Sequence, residues 1–545
     1  MHDRRRHPLA LALLLAAAGT GAALWIFAPP PSGPAPLNLD PDFATAPARE
    51  SAASAAGEEN LVPSAADARA KIAAVLRDRL TRTGVRANEA VLTFKDAEAY
   101  RRFLERARAA GLEVVGKIDA LHAVRVRIGD YDALAGELAG NVADYASVGA
   151  NPILSATPPA QERAARAAVP VGENLLSVLG VSAGSDTSAW GRGVLVAVLD
   201  GGASADATLG ARLRYQDIGY GTSGLGEDGA HGTAVASLVA GASADARGVA
   251  PAAEVLSVRV TGADGASDAF SVAQGVYAAL AAGAQVINIS LGGYATSPVL
   301  GAAIEEALAS GVAVVASSGN DQAARLAWPA AYAGVVSVGA TDATGMQAIF
   351  SNSGDGLQLT APGYALQAAG LAGTRTLFSG TSASAPVVSG AIAALLSVDP
   401  GLTPLEAADI LATYSNDGGA AGADPDYGNG TLNLGWAMDS ANPSRVDPAI
   451  SSQSYDAATG TVSIVVQNRG ATTLSGLKLA VGLDGSVSSQ TLGDLAAGAS
   501  TTVTVPVSDA RRGAGGTLVV SSQISTVTND QNLANNRRAG AVALP

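Results

Sequence analysis

The chain contains no cysteine among its 545 residues, which excludes disulfide bonds, thiolate catalysis and a cysteine-ligated zinc site. Charged residues are also scarce, at 15% of the chain, and the formal net charge is −14. Proteins that bind nucleic acid need a basic surface, so we expect no nucleic-acid partner. A chain of this length is expected to form about two to four structural units. Burial of apolar side chains must stabilise them, because no covalent cross-link is available.

Residues 1–28 have the layout of an export signal. The basic stretch Arg4–Arg6 precedes an apolar run from Leu9 to Ala28, and a proline-rich stretch follows. The run is also long enough to cross the roughly 30 Å hydrocarbon core of a membrane, so a retained signal anchor is the alternative. We expect a signal peptide and a secreted or cell-envelope protein, with membrane attachment only if the segment is retained.

Residues 29–63 are rich in Pro, Ala and Ser without an apolar period, which predicts a disordered linker. Strand-like and helix-like segments alternate in the following unit, residues 64–160, and the order is strand, helix, strand, strand, helix, strand. This order is typical of the α+β ferredoxin-like motif. Taken alone, such a unit is an ordinary binding module. The segments are EAVLTF (89–94), DAEAYRRFLERARAAG (96–111), LEVVGKI, HAVRVRI, YDALAGELAG (131–140) and ADYASVGANPIL.

Residues 161–442 alternate nearly continuous apolar strands with helical stretches. Examples of these strands are VLVAVL (194–199), QVINI (285–289) and VAVVA (312–316). Such runs predict an α/β fold with a doubly wound parallel sheet that helices cover on both faces. Ligand sites in these sheets lie at the carboxyl ends of the strands, so the polar residues there are the candidates for function.

Residues 446–545 show a third pattern, in which short alternating strands are separated by Gly, Asp and Asn turns. This pattern predicts an all-β, Ig-like sandwich. The closing segment DQNLANNRRAGAV resembles that of CARDB-type adhesion modules. The predicted strands are TVSIVVQN, GLKLAVGL, STTVTVPV and TLVVSSQI.

Four polar residues stand where the predicted sheet would expose them. Asp200 ends the strand VLVAVL, and His231 opens the helical stretch HGTAVASLVAG. Ser382 begins the apolar helix in GTSASAPVVSGAIAALLS, and Asn320 follows a strand in SSGN. Each has an ordinary alternative: Asp200 and Asn320 as turn residues, His231 as a partly buried surface residue, and Ser382 as a helix cap.

Together these residue types match nucleophilic catalysis. A serine hydroxyl becomes a nucleophile when an imidazole accepts its proton, and a carboxylate orients that imidazole. The developing oxyanion needs aimed donors, here the backbone N–H of Ser382 at a helix N-terminus and the amide of Asn320. The order Asp200, His231, Ser382 excludes an esterase of the GxSxG kind.

The region from about 171 to 440 resembles the subtilisin-like serine proteases (subtilases, peptidase family S8). The resemblance implies that Asp200 orients, His231 acts as general base and acid, Ser382 attacks and Asn320 holds the oxyanion. The matching motifs are VAVLDGG, HGTAVASLVAG, SSGN and GTSASAP, with AWGRGV, GVAP, NISLGG, VGATD, FSNSG, APG and YGNGTLNLGWA in order between and after them.

The resemblance further implies a pocket for polypeptide substrate. One wall would be Ser290, Leu291 and Gly292, which pair with extended substrate. The other wall would be the stretch Ala316, Ser317, Ser318 and Gly319.

The family's frequent calcium loop is reduced here to GASADAR (241–247), so we assign no metal site and expect no cofactor. The acidic residues Asp424 and Asp426 could hold an ion, but a solvated loop is the favoured alternative.

The resemblance also identifies residues 64–160 as an inhibitor-like propeptide, a chaperone and inhibitor within the same chain. Residues 172–442 carry 7 Arg, no Lys and 23 acidic residues, a net charge of −16, whereas residues 64–165 have a net charge of +2. Opposite charges favour the encounter of the two parts. We therefore expect a serine endopeptidase that works through an acyl-enzyme and is made as a self-processing zymogen. The competing hypothesis is a non-catalytic adhesion protein on a protease scaffold.

Overall fold

The computed structural model describes residues 38–39, 65–156, 168–221, 227–262, 265–420, 422–513, 516–525, 530, 533 and 535–544. The predicted signal lies outside these residues, and so does the predicted linker, apart from 38–39. The described chain forms two compact units, and each is considered by itself. The first comprises the residues up to Ser155 together with Gly262–Tyr277 and Gly293–Glu306, and the second comprises the remainder.

The helices are α1 (Ala65–Leu80), α2 (Ala97–Arg106), α3 (Tyr131–Gly140), α4 (Leu175–Val178), α5 (Glu227–Ala240), α6 (Ala269–Ala281), α7 (Pro298–Ala309), α8 (Thr381–Val398), α9 (Pro404–Thr413), α10 (Leu434–Met438) and α11 (Asp509–Gly513). Short 3-10 turns cover Asp119–Leu121, Val142–Asp144, Gly210–Arg212 and Leu371–Gly373.

The strands are β1 (Asn38–Leu39), β2 (Val85–Phe94), β3 (Leu112–Ile118), β4 (Ala123–Ile128), β5 (Tyr145–Leu154), β6 (Leu195–Asp200), β7 (Leu213–Gln216), β8 (Ala242–Ser243), β9 (Ala246–Arg247), β10 (Glu254–Arg259), β11 (Ser267–Asp268), β12 (Val286–Ile289), β13 (Ala313–Ser317), β14 (Val336–Thr341), β15 (Leu359–Pro362), β16 (Leu366–Ala369), β17 (Arg375–Phe378), β18 (Pro448–Asp456), β19 (Thr461–Asn468), β20 (Lys478–Leu483), β21 (Ser486–Thr491), β22 (Ser500–Pro506), β23 (Gly516–Ser525) and β24 (Arg537–Leu544).

The sheet of the first unit has the strand order β1-β5-β2-β4-β3, and β11 pairs with the outer side of β5. The pairs among β2, β3, β4 and β5 are antiparallel. The sequence predicted all four of these strands and helices α2 and α3, but not the alanine-rich α1. Asp96 starts α2 by accepting a hydrogen bond from the Ala99 N–H.

Buried aromatic rings and an ion-pair cluster stabilise this first unit. The ring of Phe94 lies 4.9 Å from that of Phe103 and 5.0 Å from that of Tyr145, centroid to centroid. Next to them the carboxylate of Asp144 accepts from Arg102 at 2.5 Å and from Arg106 at 2.9 Å. Because Asp144 is only 8% exposed, both arginines are needed to compensate its buried charge.

The second unit is built on a seven-stranded sheet of order β15-β14-β13-β12-β6-β10-β7. All its strand pairs are parallel, and β6, β12, β13 and β14 are buried throughout. This confirms the predicted α/β fold with a parallel sheet. After β6 the chain forms β7 and β10 on one side of β6, and it then forms β12 on the other side. The carboxyl ends of β6 and β12 therefore flank a topological switch point.

Helix α8 is the central helix of this unit. It packs on β12, β13, β14 and β15, and α5 packs on β6 and β10 and against α8. By length and composition α8 could cross a membrane, but 89% of it is buried inside the protein. Its apolar character is therefore that of a core helix.

The C-terminal part of the second unit contains two antiparallel sheets, β18-β19-β22 and β21-β20-β23-β24. The sequence predicted β19, β20, β22 and β23, and the structure adds β18, β21 and β24. Side chains from both sheets share one hydrophobic core, which includes Ile450, Val462, Ile464, Val466, Leu479, Val481, Leu518, Val520 and Ile524.

Candidate active site

Asp200 is the last residue of the buried strand β6 and is only 1% exposed. Its carboxylate oxygen Oδ1 accepts a hydrogen bond from the N–H of Gly201 at 2.7 Å. A buried carboxylate needs hydrogen-bonding partners to offset its lost hydration. The second partner is an imidazole.

His231 faces Asp200 from helix α5. Its Nδ1 lies 2.9 Å from Oδ1 and 3.0 Å from Oδ2 of Asp200. The sequence pattern placed His231 at the first residue of this helix. The helix begins at Glu227, however, so His231 lies in its second turn. A side chain on Gly232 would place its Cβ 2.1 Å from the carbonyl oxygen of Gly202, so only glycine permits this close approach. The imidazole remains 18% exposed, and the ring of Phe378 meets it edge-on at 5.1 Å.

The strand register brings two serines level with Asp200. Ile289 of β12 is paired with Leu199 of β6 and with Ala316 of β13. The residues that follow these partners, Ser290 and Ser317, therefore lie level with Asp200 at the carboxyl ends of adjacent strands. Neighbouring strands are about 4.8 Å apart, so the three strand ends form one edge.

Ser382 is the second residue of helix α8 and is held by Ser290. The Ser382 hydroxyl donates to the Ser290 carbonyl oxygen at 3.2 Å, and the Ser290 hydroxyl donates to the Ser382 carbonyl oxygen at 3.2 Å. Among the described residues no side chain caps the N-terminus of this helix. The alternative interpretation of Ser382 as a helix cap is therefore wrong. Pro386 has no N–H to offer the Ser382 carbonyl four residues before it, and Ser290 supplies the missing donor.

Two further residues support Ser290, and sequence reasoning missed both. The side-chain amide of Asn288 donates to the Ser290 hydroxyl at 3.0 Å, and the Ser389 hydroxyl donates to the other end of that amide at 3.0 Å. Asn288 and Ser389 are fully buried. The only local signal was the proline four residues after Ser382, which predicts a carbonyl in need of another donor.

Asn320 is oriented by the start of the same helix. Its Oδ1 accepts from the N–H and from the hydroxyl of Thr381, both at 2.9 Å. A Cβ on Gly380, whose φ is +130°, would lie 3.0 Å from Asn320 Nδ2, so the amide nitrogen is turned toward the backbone before Ser382. Within the described residues no hydrogen bond is recorded for the Ser382 N–H, whereas the next two amides bond the Gly380 carbonyl. Two donors, the Asn320 amide and the Ser382 N–H, thus lie at the N-terminal end of helix α8, although their residues are far apart in the sequence.

The predicted pocket residues are mostly buried. Their side chains are 0–4% exposed at Ser290, Leu291, Ala316, Ser317 and Ser318. Only the glycines that end the two stretches, Gly292 and Gly319, are partly exposed. The surface that these stretches offer is therefore chiefly backbone. The Gly319 N–H donates to the Thr381 hydroxyl at 3.2 Å, which ties the second stretch to the start of α8.

The described residues contain no cluster of three His, Asp or Glu side chains suited to a metal ion. The carboxylate of Asp424 accepts N–H groups from Ala420, Asp426 and Tyr427. Burial nevertheless raises the pKa of Asp424. The shortened loop 241–247 forms the small hairpin of β8 and β9.

Comparison with known proteins points to one family. The sequence model described as "Subtilase family" matches residues 191–430, which include all four candidate residues. Subtilisin BL from Lederbergia lenta is 38% identical over 245 residues, 45% of this chain and 90% of that protein. Subtilisin E from Bacillus subtilis is 33% identical over 254 residues, 45% of this chain and 65% of that protein.

A solved structure extends the similarity of fold beyond the matched region. Fervidolysin from Fervidobacterium pennivorans, described as a keratinolytic enzyme related to subtilisin, matches 85% of this chain and 77% of its own, with a TM-score of 0.56. The two sequences are 20% identical, so this match supports the fold alone.

Proposed function

Because the chain belongs to the subtilase family and is a subtilisin-like serine protease, a hydrolase acting on peptide bonds, we propose that Asp200, His231 and Ser382 are its catalytic triad. The order of these residues along the chain is that of subtilisin. The observation that carries the proposal is the contact of His231 Nδ1 with both carboxylate oxygens of Asp200. In the proposed triad the other ring nitrogen, Nε2, is the one that acts on the serine.

In the proposed reaction the Ser382 hydroxyl transfers its hydrogen bond from the Ser290 carbonyl to His231 Nε2 and attacks the scissile carbonyl carbon. His231 takes the hydroxyl proton and later returns it to the leaving amine, which gives an acyl-enzyme. Water then hydrolyses the acyl-enzyme by the same proton transfers in reverse order. Asp200 holds the neutral ring in the right tautomer and stabilises the imidazolium.

We assign the oxyanion hole to the side-chain amide of Asn320 and the backbone N–H of Ser382. Thr381 occupies the acceptor end of the Asn320 amide, so the donor end is directed away from Thr381. Donors that are fixed before the reaction stabilise developing charge without reorganisation. Polypeptide substrate would pair with the backbone of Ser290–Gly292 and Ala316–Gly319, because these side chains are mostly buried.

Residues 64–160 are proposed to be an inhibitor-like propeptide with a ferredoxin-like fold. The strand order β5-β2-β4-β3 and the two intervening helices support this fold. Within the first unit, β5 of this segment pairs antiparallel with β11, residues 267–268 of the protease sequence. Arg86 and Arg125 also contact the carboxylate of Asp268, which is 1% exposed. These contacts agree with a chaperone and inhibitor encoded in the same chain.

The remaining assignments concern the two ends of the chain and its location. We propose that residues 1–28 direct export, that 29–63 link them to the propeptide, and that the protein is secreted as a self-processing zymogen. The two sheets with a common core support an Ig-like, CARDB-like sandwich over residues 446–545. We propose that the protein needs no cofactor and has no nucleic-acid partner. We assign no calcium site.

Replacing Ser382 by alanine in the full-length chain tests the triad and the zymogen together. Ser382→Ala should abolish peptide-bond hydrolysis, prevent labelling by a fluorophosphonate and leave the propeptide attached. The matched control is Ser384→Ala, which removes another buried hydroxyl of α8, bonded to the Ala361 carbonyl. This control should still be labelled and processed.

The outcomes separate the alternatives. Maturation of Ser382→Ala in a host without other proteases would disprove self-processing by Ser382. Absence of labelling in the wild-type chain after removal of the propeptide would favour the non-catalytic adhesion protein. N-terminal sequencing of the secreted product would locate the cleavage sites.

A further inference from the structure

A cavity of about 960 Å³ lies within the second unit. The residues proposed to be catalytic are not among its lining residues. One side is formed by segments around α4 and α10, and the other by the β-rich C-terminal part. Both aromatic side chains that line it, Trp190 and Trp436, come from the protease part. Its volume is in the range of pockets that hold small organic molecules.

Four arginines line this cavity. They are Arg445, Arg469, Arg537 and Arg538, and among the described lining residues Asp439 is the only acidic one. The preceding region, residues 172–442, has a net charge of −16, so a cluster of guanidinium groups at its border is a local reversal of charge.

Arg445 forms two ion pairs, whereas carboxylates act on Arg469 and Arg538 only from a longer distance. Arg445 forms ion pairs with Asp439 at 2.6 Å and with the buried Asp447 at 2.5 Å. No described carboxylate lies within 4 Å of Arg469, Arg537 or Arg538. An excess of positive charge therefore remains at the cavity.

Arg469 carries a charge that is almost completely buried, at 4% exposure. Its guanidinium donates to Gln467 Oε1 and Ser451 Oγ, both at 3.2 Å, and lies 5.7 Å over the Trp436 ring. Neutral acceptors and an aromatic face compensate a buried cation less well than an anion does. Burial accordingly lowers the pKa of Arg469 to about 10.

The other two arginines are consecutive residues of strand β24 and also line the cavity. Arg538 donates to the backbone carbonyls of Ser451 and Thr344, which fixes its side chain. Arg537 is exposed, and no described residue is recorded as its hydrogen-bonding partner. Planar guanidinium groups bind carboxylate and phosphate oxygens in pairs, so three of them among the lining residues of one cavity suit a ligand with more than one such group.

We infer that this cavity binds a small multivalent anion that carries two or more carboxylate or phosphate groups. Arg469 and Arg538 provide fixed donors in the wall, and Arg537 closes on the ligand from the exposed side. The inference concerns a site separate from peptide-bond hydrolysis and does not depend on the proposed triad.

Titration calorimetry on the full-length Ser382→Ala protein tests this inference without autolysis. The probes are propane-1,2,3-tricarboxylate and inorganic pyrophosphate, with acetate at equal ionic strength as the monovalent control. We expect saturable binding of at least one multivalent probe and none of acetate. Arg537→Gln should weaken this binding about tenfold, because one charge-assisted hydrogen-bonding group is lost.

Lys478→Gln is the matched control, since it removes one positive charge from an exposed site of the same β-rich part, outside the cavity lining. Its affinity should equal that of the parent protein. Equal weakening by Arg537→Gln and Lys478→Gln would show that only the overall charge matters and would overturn the site. The inference also fails if neither multivalent probe binds saturably. It fails likewise if an oligoglutamate peptide binds but neither small probe does, because the site would then recognise an acidic polymer and not a small anion.

Discussion

The mutual hydrogen bonds of Ser290 and Ser382 lead to a quantitative prediction. Ser290→Ala removes the donor to the Ser382 carbonyl, and Pro386 cannot replace it. The same change leaves the Asn288 amide without its acceptor. A buried polar group that loses its partner costs about 1–3 kcal/mol. If the loss at the Ser382 carbonyl alone falls on the native state, unfolding should accelerate about 5- to 150-fold, and the unpaired Asn288 amide should add to this effect.

The assay is the rate of unfolding in guanidinium chloride, followed by tryptophan fluorescence. The enzyme is first inactivated at Ser382 by a fluorophosphonate, so that autolysis does not contribute. A rate is the appropriate measure because many secreted proteins of this size unfold irreversibly. The same variants should be compared in kcat and KM, where displacement of Ser382 is expected to lower kcat.

A second substitution distinguishes this mechanism from simple loss of packing. Pro386→Ala restores a backbone N–H four residues after Ser382, so it should recover part of the loss in Ser290→Ala. The coupling should exceed about 0.5 kcal/mol. In the control background Ser384→Ala, the lost hydrogen bond is the one to the Ala361 carbonyl. There the effects of the two substitutions on the free energy of unfolding should be additive. Additive behaviour in both backgrounds would refute the role assigned to Ser290.

Three further predictions concern catalysis and pH. Asn320→Asp keeps the oxygen that accepts from Thr381 but removes the donor. It should lower kcat by about 100- to 1000-fold, a magnitude taken over from subtilisin, with little change in KM; a change mainly in KM would contradict this role. Burial alone would raise the pKa of Asp144, but its two arginine partners outweigh burial and hold this pKa below its usual value. The ion pairs therefore stabilise the first unit at neutral pH, and this contribution is lost as the pH falls through the lowered pKa. In full-length Ser382→Ala, the additional change Asp144→Asn should speed amide exchange in α2 at pH 7, and this difference should shrink toward about pH 3, near the carboxyl reference value. Proteolysis should decline on acidification because His231 must be neutral to accept a proton and free imidazole titrates near about 6.5; constant kcat/KM well below about pH 5 would argue against this base.

Local patterns in the sequence were sufficient for several elements of the fold and for the candidate triad. Buried parallel strands read as continuous apolar runs, and Asp200 was recognisable because it ends such a run. Strands β3 and β19 were predicted with the bounds that the structure has. Helix α1 was missed because its alanine-rich sequence has a weak apolar period and follows an alanine-rich linker.

Long-range contacts were beyond these patterns. That Ser290 and Ser317 lie level with Asp200 depends on strand register, and register results from many weak contacts along two neighbouring strands. The partners of Ser382 could not be read from GTSASAP, because a serine at a helix start is compatible with a cap, a nucleophile or both. The hydrogen bond from Ser389 to Asn288 joins residues 101 positions apart.

By itself the sequence determined the absence of cysteine chemistry, the order of the α+β, α/β and all-β segments, and the four residues proposed for catalysis, because composition and short periodic patterns encode these properties. Only the tertiary structure decided that Ser290 replaces the donor that Pro386 lacks, that Asn320 is oriented by Thr381, and that Arg469 is buried with no described carboxylate within 4 Å. These facts depend on which side chains meet when distant segments pack. Burial and pairing are properties of the folded chain and not of any short stretch of it.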